Sequence, residues 1–99
     1  IEIEQLGFSF KNLSKELQNQ YTIAENIKGV VITGVKNNSL AFNGGLRVGD
    51  VVSQISQINV ENASQAEKVF RDFIDKKADL ILLQVFQNGF PRFLPFKLN

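Results

Sequence analysis

The sequence contains no histidine, cysteine, methionine or tryptophan. Without histidine or cysteine it lacks the usual general base, the usual thiol nucleophile and the two commonest transition-metal ligands. No catalytic residue, metal site or cofactor is therefore expected within it, and most hydrolase mechanisms are closed to the chain by itself. The absence of cysteine leaves the redox compartment open, since a reducing cytosol and a thiol-free secreted protein both fit. The absence of methionine makes Ile1 an expected product of processing or excision from something longer. Charge of one sign is also scarce: 11 Lys and Arg stand against 10 Asp and Glu, a formal balance of +1. Only Lys76-Lys77 are adjacent, so no polyanion-binding surface forms and nucleic acid is not an expected partner. Long hydrophobic runs are missing as well. Leu80-Ile81-Leu82-Leu83 falls far short of a membrane span, and no signal-peptide pattern is present.

What the chain has in quantity is apolar bulk. Hydrophobic residues make up 43% of 99 positions, with nine Phe against one Tyr, so most aromatic surface can be buried without a polar partner. That length suits one small domain, residues 1–99, with a core that needs no staple.

The pattern along the chain is mostly β. Leu6-Gly7-Phe8-Ser9-Phe10 alternates after a glycine and places Leu6, Phe8 and Phe10 on one face of a short strand. Ser14 suits the N-cap of a brief helical turn reaching toward Tyr21. Residues 29–35 are a β-branched run bounded by glycine and by Lys36-Asn37-Asn38. Ser39-Leu40-Ala41-Phe42 reads as a capped helical turn stopped at Asn43-Gly44. Strands are expected at 51–55, 58–60, 79–86 and 92–98. Asn88-Gly89 signals a hairpin before the last strand, which Pro91 and Pro95 assign to an edge or an irregular start. The long helical pattern begins at Asn62-Ala63-Ser64 and runs to 75. Ala66, Val69, Phe70, Phe73 and Ile74 recur at helical spacing, while Glu67, Lys68, Arg71, Asp72 and Asp75 take the other face. Five to six strands, one long helix and one or two short helical turns describe a mainly β fold with α, a partly open barrel or sandwich capped by helices.

Gly45-Leu46-Arg47-Val48-Gly49-Asp50 is a tight corner feeding the 51–55 strand. Its glycines supply positive φ, Leu46 and Val48 plug the corner into the core, and Asp50 accepts hydrogen bonds from turn amides. The corner carries no chemistry of its own. Around Gly7, by contrast, consecutive amides of Leu6, Gly7 and Phe8 can converge into a concave anion site that fits a carboxylate. If the 8–10 strand keeps one edge unpaired, an extended peptide can add to it. Leu6, Phe8 and Phe10 then form one wall of a pocket for an apolar terminal side chain, and Ala66, Val69, Phe70 and Phe73 form the other. The same residues also suit a core, and a groove floor is a core ceiling. Lys11 suits a solvated role better than attraction of the carboxylate. Gly7→Val is expected to block the amide nest and abolish peptide binding while leaving the fold largely intact.

Leu6-Gly7-Phe8 resembles the Gly-Leu-Gly-Phe carboxylate loop of PDZ domains, and residues 45–50 resemble that family's Gly-Leu-x-x-Gly-Asp corner. Ser39-Leu40-Ala41 is similar to its Ser-Pro-Ala segment. The loop stands at the start of the chain and a strand closes it, which resembles the circularly permuted PDZ domains of bacterial HtrA/DegP-type serine proteases, with some likeness to the second of two such domains. The resemblance implies a peptide-binding module for hydrophobic C-termini or unfolded segments, with site residues Leu6, Gly7, Phe8, Ser9, Phe10, Gln65, Ala66, Val69, Phe70 and Phe73. Gln65 falls where animal PDZ domains often place a histidine that reads a ligand hydroxyl, a preference not carried over here. It further implies a periplasmic or envelope location, a protease domain with its own catalytic triad and another PDZ domain in the parent chain, and oligomerisation through that parent. The alternative is a PDZ domain whose groove is filled by Phe8, Phe10, Phe70 and Phe73 and which serves oligomer assembly or regulation.

Overall fold

The computed structural model describes residues 1–98; Asn99, the end of the expected domain, lies outside them. Seven strands form one antiparallel sheet: β1 (Glu2–Ile3), β2 (Phe8–Asn12), β3 (Val30–Val35), β4 (Val51–Ile55), β5 (Ile58–Asn59), β6 (Leu80–Gln87) and β7 (Phe90–Lys97). The order across the sheet is β1-β2-β3-β4-β6-β7, with β5 paired to β4 off this path. The sheet does not close, so β1 and β7 are its two edges. Three helices accompany it: α1 (Lys15–Gln20), α2 (Leu40–Asn43) and α3 (Ala63–Asp75). This is the mainly β architecture expected, with one strand more than the five or six read from the sequence. The addition is β1.

Local chemistry explains where the helices start. Ser14 Oγ accepts the Leu17 amide at 3.1 Å, Ser39 Oγ accepts that of Phe42 at 3.1 Å, and Asn62 Oδ1 accepts that of Gln65 at 2.8 Å. Each oxygen satisfies an amide that the first helical turn leaves without a partner. α2 stops where expected, at Asn43 with Gly44 as its C-cap. Gly44 is still right-handed, with φ −79°, and the left-handed residue is Gly45 at φ +99°. The amides of Gly45 and Leu46 reach back to the carbonyls of Phe42 and Ala41 at 3.1 and 3.0 Å, a Schellman closure whose flanking Ala41 and Leu46 are both fully buried.

The corner that follows is tied down by Asp50. Its Oδ2 accepts the Arg47 amide and the Gln87 side-chain amide, both at 2.8 Å, while the Gln87 nitrogen also reaches the Gly45 carbonyl at 3.1 Å. One carboxylate therefore joins the corner to the end of β6. Leu46 plugs the core as expected, but Val48 does not: it is 49% exposed, because the turn points it outward. At the far end, Asn88 and Gly89 both adopt positive φ and close a two-residue hairpin with Gln87 opposite Phe90. β7 is an edge strand, which tolerates Pro91 and Pro95.

The core joins the sheet to α3. Phe8, Phe10 and Phe70 are almost fully buried and form a triangle of rings, with centroids 5.2 to 5.8 Å apart and Phe8 edge-on to Phe70. Among the described residues no helix is long and apolar enough to cross a membrane.

Candidate functional site

β2 brings the 6–10 segment alongside α3, as the patterning implied. Asn12 at the end of β2 fixes this placement: its Oδ1 accepts the amide of Ala63, the first residue of α3, at 2.5 Å. Strand and helix are thus pinned at one end by a bond spanning 51 residues of sequence. Leu6, Phe8, Phe10, Ala66 and Phe70 are buried, while Val69 and Phe73 are half-buried and pack against this cluster from its margin. Ser9 faces the other way, within 3.3 Å of the Thr33 hydroxyl. Gln65 is exposed, and its side-chain amide is committed locally, donating to the Asn59 carbonyl and accepting the Glu61 amide, both at 3.0 Å.

The turn before β2 has the concave form expected of an anion site. The amides of Leu6 and Gly7 converge on one oxygen, at 3.1 and 2.8 Å, and that oxygen is the backbone carbonyl of Ile3. Gly7 holds this shape at φ +84°, a region where L side chains are strained. A Cβ there would also stand 2.2 Å from the Ser39 Cβ. The expectation that Gly7→Val spares the fold is therefore corrected: Gly7 is buried against α2's cap, and any side chain at this position collides with it.

The free edge assumed for β2 is not free. β1 pairs with it antiparallel, Glu2 opposite Ser9 and Ile3 opposite Phe8. The pairing extends to Ile1, whose carbonyl accepts the Phe10 amide at 2.8 Å and whose nitrogen donates to the Phe10 carbonyl at 3.1 Å. On the outer side, Arg71 of α3 donates through Nη2 to the Glu2 carbonyl at 3.3 Å, while Glu67 holds the same guanidinium in an ion pair at 3.0 Å. β1 thus lies between β2 and α3. The only signal for it in the sequence is the alternation Ile1-Glu2-Ile3, too short to register as a period.

Two shallow hollows of about 410 and 340 Å³ continue the groove beyond the ends of β1. One is bordered by Ile1, Phe10, Leu17 and Ala63, the other by Leu6, Leu40, Ile74 and Leu98. Neither contains an array of acids and bases. Among the described residues no group of three potential metal ligands comes together. Asp50, whose carboxyl is pushed up by burial against the opposing pull of Gln87, the Arg47 amide and the Arg47 and Arg92 charges, belongs to the corner.

The sequence matches the PDZ domain family over residues 2–85. The chain belongs to that family. It is 29% identical over 86 residues, 85% of its length, to a "Probable periplasmic serine endoprotease DegP-like" of Rickettsia conorii. It is 30% identical over 95 residues, 96% of its length, to a protein of the same description from Chlamydia pneumoniae. The matched regions are 16% and 19% of those two proteins, so this PDZ domain spans less than a fifth of the curated relatives it matches. Among solved structures it is similar to the HtrA-type protease AlgW with a decapeptide, with a TM-score of 0.73 and 26% identity, over 93% of this chain and 27% of that one.

Proposed function

We propose that this PDZ domain, spanning the chain, is the peptide-binding module of a longer periplasmic or envelope serine endoprotease of the HtrA type. It recognises hydrophobic C-termini or unfolded segments and presents them to a protease domain elsewhere in the parent. The ligand pairs with β2 in the place that β1 holds, its carboxylate on the Leu6 and Gly7 amides and its terminal side chain between the strand and helix walls. The observation that carries this reading is the convergence of those two amides on a single oxygen at 2.8 to 3.1 Å. The DegP-like relatives and the likeness to a peptide-bound HtrA-type protease support it.

A charge-assisted anchor contributes roughly 1.5 to 3 kcal/mol, each well-buried apolar side chain about as much, and ordering the peptide costs several kcal/mol. The expected dissociation constant is on the order of 1 to 100 μM. The test is calorimetric titration with short peptides ending in aliphatic residues, free acid against amide. The acid form is expected to bind about tenfold or more tightly than the amide. Equal affinities would remove the carboxylate from the account. No saturation at about millimolar peptide, by the chain or by a form lacking residues 1–3, would overturn peptide binding.

The second reading is a domain whose occupied groove serves assembly or regulation of the parent. It is favoured by the full burial of Ile3 and its pairing along β2. The same titration separates the two.

A further inference from the structure

β1 has the attributes of a bound peptide rather than of a structural edge strand. It runs antiparallel to β2 toward the Leu6-Gly7 turn, the direction in which a C-terminal ligand would arrive. Its last residue places a carbonyl oxygen on the two convergent amides. Ile3 is fully buried in the cluster that contains Phe8, Phe10, Ala66 and Phe70, while Glu2 is exposed and Ile1, two positions back on the face that Ile3 shares, is 43% exposed. Arg71 grips the β1 backbone from the helix side. Only two residues of it are regular strand, and Glu4 and Gln5 link it to the turn through exposed backbone positions that can act as a hinge.

We infer that Ile1–Ile3 is a built-in ligand of the groove, and that the cognate peptide is one whose free C-terminus reproduces it: an aliphatic residue in the place of Ile3, a solvent-facing residue before it, and a second aliphatic residue before that. This rests on the peptide-binding reading above. Binding then requires exchange. β1 swings out about Glu4-Gln5, and the incoming carboxylate replaces the Ile3 carbonyl on the Leu6 and Gly7 amides. A carboxylate outcompetes a carbonyl there because hydrogen bonds to an ionised acceptor are about twice as strong. The incoming side chain must still refill the space left by Ile3, since an emptied apolar pocket is costly. That second condition makes the occupant's own side chain a template for selectivity. The tether raises the local concentration of β1, so the measured affinity is the intrinsic one multiplied by the fraction of molecules in which β1 is out.

The chain contains no cysteine, so β1 can be locked with a single engineered disulfide. Ile1 and Phe10 exchange both backbone bonds, which makes Glu2 and Ser9 the neighbouring non-hydrogen-bonded pair, close enough to bridge. The experiment compares the double variant Glu2→Cys with Ser9→Cys, oxidised and reduced, and a form lacking residues 1–3. The probe is a fluorescent peptide ending in Ile-Glu-Ile with a free carboxylate. Oxidation is expected to weaken binding at least about tenfold, reduction to restore it, and removal of residues 1–3 to tighten it about tenfold relative to the parent chain. The disulfide constrains the native pairing, so the locked form remains informative even if the shortened form folds poorly. Equal binding by oxidised and reduced forms would overturn the inference while leaving the peptide-binding reading in place. Binding by none of the three would overturn both.

Discussion

The carbonyl oxygen of Ile3 accepts the Gly7 amide at 2.8 Å, so the concavity proposed to take a carboxylate is satisfied from within the chain. Burial and hydrogen bonding agree at this point. Leu6 and Ile3 are both withdrawn from solvent, and neither inward-facing amide is left without an acceptor.

Gly7 is accordingly a folding residue, whatever it binds. Gly7→Ala is expected to lower stability by about 1–3 kcal/mol, from the left-handed backbone and the contact with Ser39. Urea unfolding measures this. An unchanged midpoint would show that Ser39 and the turn give way without cost.

Asn12 joins β2 to α3 through the Ala63 amide. Asn12→Ala is expected to cost about 0.5–2 kcal/mol, the usual range for losing a helix N-terminal acceptor. Because the bond ties helix to strand, amide exchange at Ala63 should quicken with it. A stability loss without faster exchange there would argue that the side chain acts elsewhere.

Asp50 gives the pH response its sign. Burial raises its carboxyl above the ordinary 3.8, so the folded chain holds that proton more tightly than the unfolded chain. Its contribution is fully present below 3.8 and is lost as pH rises through the raised value. Denaturant midpoints of the parent and Asp50→Asn, compared across that range, should move against the parent as pH increases. Movement in the parent's favour would mean that Gln87 and the arginine charges outweigh burial.

Much of the scaffold was legible because its causes are local. The caps at Ser14, Ser39 and Asn62, the Asn88-Gly89 hairpin and the amphipathic period of α3 each depend on residues a few positions apart. The corner was legible too, since Gly45 and Gly49 both take the positive φ expected of them, +99° and +95°. Val48 was misplaced because a turn's direction is set by what it packs against. The groove's walls could be listed from their periodicity, whereas its occupant could not. Two residues carry no period, and what places β1 is tertiary: the vacant edge of β2, the apolar space for Ile3 and the reach of Arg71.

The most direct measurement of the proposed peptide-binding groove follows backbone amides in the isotope-labelled PDZ domain as an Ile-terminated peptide is titrated in. Leu6 and Gly7 amides are expected to shift saturably to lower field as a carboxylate replaces the Ile3 carbonyl, while the Ile3 amide loses exchange protection in the same proportion. Saturable shifts confined to another face, with the Leu6 and Gly7 amides unmoved and β1 still protected at full occupancy, would contradict it.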